Sequence, residues 1–232
     1  MKRSTLAALT AALTLVPLGL VACGGNDDDT AAPAAPTTQT ESGSNGESIS
    51  IESPAVDLRI TLDRLLAEHA LLATFAMQKG LDGSEDFQAI ADALDANTVD
   101  LGEAIGSVYG DEAKQSFLKL WRDHIGFFVD YTVATAKSDD AGQEAARNKL
   151  ANYQAEFSTF LDTATDGKLP QSGAADALQA HVNQLVEAIE TYAAGDFPTA
   201  YTQIREAYHH MFMTGDALSG AIVAQSPDQF GS

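Results

Sequence analysis

From residue 53 onward the apolar residues recur every three or four positions, the period of helices that lie against a common core. Ser53-Pro54 places a capping hydroxyl before a proline at the first turn, and the stripe Leu62, Leu66, Ala73, Ala76 runs to Met77, where Gly80 is expected to stop it. Ser84 opens a second helix carrying Phe87, Ile90, Leu94, Asn97, Leu101 and Ile105, closing near Gly110. Asp111 caps a third, through Phe117, Trp121, His124 and Phe128 to about Lys137. Asp139 or Asp140 begins a fourth, with Leu150, Tyr153, Phe157 and Leu161, ended by Gly167 and Pro170. Ser172 opens a fifth that ends near Gly195, and Asp196-Phe197-Pro198 opens a sixth that runs towards Val223. No segment alternates with period two between hairpin turns, so strands are not expected. The fold class is all-α, and residues 53–232 are expected to form a six-helix antiparallel bundle built of three helical hairpins.

The first 52 residues lack this pattern. Lys2 and Arg3 precede an apolar run from Leu6 to Leu20 that is short for a bilayer span, so residues 1–22 read as an export signal. Leu20-Val21-Ala22-Cys23 resembles the lipobox of bacterial lipoproteins, whose cysteine is acylated and becomes the mature N-terminus. That resemblance implies a lipid anchor at Cys23, palmitate-type acylation and a place outside the cytoplasmic membrane of a bacterial envelope. Cys23 is the single cysteine, so the mature protein has no intramolecular disulfide and no thiolate metal site. Residues 23–52 are rich in Gly, Asn, Asp, Ala, Pro, Thr and Ser and read as a disordered acidic tether.

Composition narrows the partners. Lys and Arg number 13 against 33 Asp and Glu, a formal net charge of −20, and signal cleavage removes two of the basic residues. An excess of that sign opposes nucleic acid and anionic lipid surfaces, leaving the lipid anchor as the expected membrane contact.

The chain's five histidines are its candidate chemistry. His69, His124 and His181 are each placed midway along a helix and on its apolar stripe, 55 and 57 residues apart. Mid-length residues of antiparallel helices fall in one cross-section, so inward histidines can converge. On the sixth helix, the stripe Ala200, Ile204, Met211, Gly215, Leu218, Ile222 puts His210 at its flank and His209 on the polar face. His69, His124, His181 and His210 are therefore the candidate ligands of a transition metal such as zinc, copper or iron, with Glu68, Asn97, Asp123 and Tyr153 as outer partners. The alternative is four core histidines, each bonded to a neighbouring side chain or carbonyl.

Other constellations are incomplete. Glu206 and His209 have the Glu-x-x-His spacing of di-iron bundles, but such a site needs two copies and further inward glutamates. Met211 and Met213 read as core filling, and Gly215 with Ser219 as a close helix approach. The stretches Trp121-Arg122-Asp123-His124-Ile125 and His210-Met211-Phe212-Met213-Thr214-Gly215 resemble a group of secreted helical bacterial proteins, some of which carry copper amine oxidase labels. That resemblance implies no activity, and the quinone-forming tyrosine motif of an amine oxidase is not found here. The expected function is a lipid-anchored, non-enzymatic bundle that binds a metal ion or small ligand at its midplane. The rival expectations are an envelope structural or interaction protein and, third, a metal-dependent redox enzyme.

Overall fold

The computed structural model describes residues 53–230. The expected signal, Cys23 and the expected tether lie outside the described residues, as do 231–232. Six long helices and one short one follow in order: α1 (Pro54–Asp82), α2 (Phe87–Tyr109), α3 (Asp111–Ala136), α4 (Asp140–Ala164), α5 (Gln171–Ala193), α6 (Phe197–Gln225) and α7 (Pro227–Phe230). There is no strand among the described residues, and none of their helices is long and apolar enough to cross a membrane.

Local signals explain most of the helix ends. Ser53 Oγ accepts from the Val56 N–H at 3.3 Å with Pro54 at the first turn, Asp139 accepts from the Gly142 N–H at 3.0 Å, and Asp196 accepts from the Thr199 N–H at 3.3 Å. Four boundaries differ from expectation. Gly80 does not stop α1, which runs on to Gly83 in a left-handed C-cap at φ 61°. A Cβ on Gly80 would sit 3.3 Å from Thr132 and 3.4 Å from Phe87, so this glycine serves close approach by neighbouring helices. The second helix starts at Phe87 behind Asp86, not at Ser84. Asp111 is the first residue of α3 rather than its cap, and α5 starts at Gln171, directly after Pro170.

Packing sorts the helices into two sets. Consecutive helices lie against each other, and α6 returns to pack on α1. The odd helices α1, α3 and α5 also touch one another, while α2, α4 and α6 each lie against two of the odd ones. Since each odd helix carries one mid-length histidine, this arrangement turns all three towards one axis.

The core divides along that axis into two apolar clusters. One contains Leu62, Leu66, Leu101, Ile105, Trp121, Phe157, Met211 and Ile222, and the other Met77, Leu94, Phe128, Tyr131, Leu150, Leu185 and Ile189. Odd helices pass from the first cluster to the second and even helices return. Close approach holds α6 against α1: a Cβ on Gly215 would run into Asp63 Oδ1 and lie 3.2 Å from the Asp63 backbone. Around the second cluster, Tyr131 of α3 donates to Glu190 of α5 at 2.6 Å and accepts from Arg147 of α4 at 2.7 Å, tying three helices together.

Candidate functional site

Between the two apolar clusters lies a layer to which every long helix contributes a polar side chain: His69, Asn97, His124, Tyr153, His181 and His210, in order from α1 to α6. Three of the histidines are almost completely enclosed, with relative exposures of 2 % for His69, 3 % for His124 and 6 % for His181. His210 is half-buried and His209 exposed, as the helical wheel predicts.

The rings do meet. His69 Nε2 and His124 Nε2 face each other at 3.4 Å, and the His69 and His181 centroids are 6.3 Å apart. His181 and His210 lie parallel with centroids at 6.4 Å. Tyr153 stacks on His124 at 4.8 Å, and Trp121 packs against His69 at 4.8 Å and His124 at 4.6 Å. Trp121 was legible only as part of the apolar stripe; its position against both histidines comes from the fold.

Burial keeps these rings neutral. It pushes His124 down to about 3, helped by the charge His181 would carry and only partly opposed by the carbonyls of Trp121 and Leu120. His181 falls to about 3 through burial and the neighbouring His69 and His210. His69 drops well below the usual imidazole range through burial and His124. The Tyr153 hydroxyl is raised well above its usual value by burial alone. Neutral imidazoles can accept a ligand without first losing a proton. In the facing pair one Nε2 carries the proton and the other accepts it.

Satisfaction in the layer is incomplete. Nδ1 of His69, His124 and His181, the Trp121 indole N–H, the Tyr153 hydroxyl and Asn97 Oδ1 are all buried without a hydrogen-bond partner among the described residues. A buried polar atom left alone costs about 1–3 kcal/mol, so six in one cross-section mark a place where stability is given up. Asn97 is anchored from its amide, which donates to the Leu65 carbonyl at 3.0 Å and to Glu68 at 3.3 Å. His210 donates from Nε2 to the Ala177 carbonyl at 3.0 Å, crossing from α6 to α5.

Two expected outer partners are misplaced. Glu68 and Asp123 each precede a buried histidine by one residue, about 100° around the helix, and so turn away from it. Glu68 pairs with Arg64 at 3.2 Å and reaches only Asn97; Asp123 pairs with Lys119 at 2.8 Å on the surface. Among the described residues no three His, Cys, Asp or Glu side chains are gathered as ligands of one ion. The expected four-histidine set is thus brought into one layer, with one pair in contact through its Nε2 atoms.

Cavities flank the layer. On the side of the first cluster lies a void of about 130 Å³, bounded by His124, His181 and His210 together with Phe117, Trp121, Tyr153, Phe157 and Met211. Its outer edge, between α5 and α6, is formed by exposed Gly173, Met213 and Ala217 and half-buried Ala177 and Thr214. A smaller void of about 40 Å³ adjoins His69 and His124 on the other side, against Met77, Leu94 and Phe128. Comparison with protein-family models, with curated proteins and with solved structures finds no match for this chain.

Proposed function

We propose that this chain is a lipid-anchored, extracytoplasmic binding protein of a bacterial envelope, held at the membrane by acylated Cys23. Its six long helices act as an antiparallel bundle of three hairpins that holds a small ligand at the midplane, without catalysing a reaction. One observation carries the binding role: an apolar cavity of about 130 Å³ reaches from a small-residue edge between α5 and α6 inward to three histidines. A well-packed interior has few voids larger than a water molecule, and this one is walled almost entirely by apolar surface. The lipobox and the acidic, cysteine-free remainder of the chain support the location.

A second reading, a transition-metal site, is favoured by the His69–His124 separation. Two nitrogens bound to one ion at about 2.0–2.1 Å in a tetrahedron stand about 3.3–3.4 Å apart, which matches the 3.4 Å between their Nε2 atoms. His181 is the nearest candidate for a third ligand, with its ring centroid 6.3 Å from that of His69. Zinc, copper and iron all accept imidazole.

Thermal melts of the purified chain, stripped with chelator and then given each metal, test the second reading. A melting-point rise that His69→Ala and His124→Ala both abolish supports it, and a chain indifferent to every metal removes it. For the cavity reading, mass spectrometry of the protein isolated from its native membrane should find a bound small molecule. Cys23→Ala should release the protein from membranes in detergent partitioning; retention after correct signal cleavage refutes the anchor.

A further inference from the structure

The cavity's size, walls and charge narrow what it can hold, and this narrowing rests on the reading of the cavity as a ligand site. We propose that it takes one neutral, apolar molecule of about the size of a single aromatic ring, admitted between α5 and α6.

Size comes first. A cavity of about 130 Å³ is slightly smaller than the engineered apolar cavity of about 150 Å³ that stays dry and binds benzene. Pockets for drug-sized ligands start at about 300 Å³, which excludes a haem, a sterol or a nucleotide. Charge comes second. Among the described residues, no Asp, Glu, Lys or Arg lines the cavity. A carboxylate or ammonium would lose its hydration there without gaining a partner charge.

The walls favour an aromatic guest over an alkane. Phe117 and Trp121 stack at 5.0 Å, and Phe157 lies 5.9 Å from Phe117 and 5.6 Å from Trp121, so ring faces and edges are presented from two helices. Met211 and Met213 add thioethers, which pack well against ring edges. The edge of the cavity is built for passage. Gly173 and Ala217 are exposed and small, and a Cβ placed on Gly173 meets nothing within 4 Å.

The probe is toluene, with benzoate as a charged ligand of the same ring size and 1-dodecanol as a long neutral one, followed by calorimetry and thermal melts of the full chain in detergent-free buffer after extraction. Toluene should bind once per chain and raise the melting midpoint; benzoate should leave it unmoved. Gly173→Phe, which obstructs the edge without a backbone clash, should weaken toluene binding at least tenfold. Ala177→Trp, deeper in the gap, should do the same if it folds. Dodecanol binding without toluene binding overturns the size class while leaving a ligand cavity in place. Equal response to benzoate overturns the neutral class. Toluene bound as well by Gly173→Phe as by the parent overturns the route, and a chain that binds none of the three removes the inference together with the cavity reading.

Discussion

Acid should unfold this bundle well before its carboxylates titrate, because three buried histidines have to stay neutral in the fold. Once the chain is unfolded each titrates near 6.5, while in the fold His124 and His181 are held at about 3 and His69 well below its usual range. The unfolded state therefore binds more protons, so stability is complete above about pH 6.5 and falls as pH drops towards the folded values. At pH 5 each histidine removes about 2 kcal/mol. Only the unfolded value enters that figure while the folded rings remain neutral, so interactions within the cluster do not change it. Three together remove about 6 kcal/mol, a large share of the ~5–15 kcal/mol typical of a folded domain. The carboxylates held low by ion pairs, Asp86 beside Lys79 and Asp95 beside Arg122, begin to matter only below this window. Urea unfolding followed by helical circular dichroism at pH 7.5, 6 and 5 measures the effect, and His124→Leu should reduce the slope by about a third. Stability at pH 5 within about 1 kcal/mol of that at pH 7.5 would refute the claim that these rings are buried and neutral.

His209→Ala should shift stability by less than about 0.5 kcal/mol, because the ring is exposed, whereas His210→Ala loses the bond to the Ala177 carbonyl and should cost about 1 kcal/mol in the same urea assay. Gly215→Ala drives a methyl into Asp63 and should cost about 1–3 kcal/mol by forcing α6 away from α1; a neutral result would show that the helices can separate freely. Tyr131→Phe removes the hydroxyl between Arg147 and Glu190 and should cost about 1–2 kcal/mol, read as a lower thermal midpoint.

The all-α class and the inward turn of His69, His124, His181 and His210 were legible in the sequence. Both depend on a 3.6-residue period and on caps such as Ser53 and Asp139, which are encoded within a few neighbouring residues. The same local logic misread Gly80 as a stop, since only the approach of Thr132 and Phe87 shows what the missing side chain is for. It also enlisted Glu68 and Asp123 as outer partners, although a step of one residue from a buried histidine turns a side chain off the buried face. Sequence spacing placed three histidines at similar depth and the helical wheel turned His210 towards them, but the 3.4 Å contact within one pair and the 6.4 Å ring separation in another follow from which helices lie inside. Trp121 against the rings and the cavity beside them belong wholly to the tertiary structure. A void is defined by side chains from distant parts of the chain failing to fill a shared volume, and no local period carries that information.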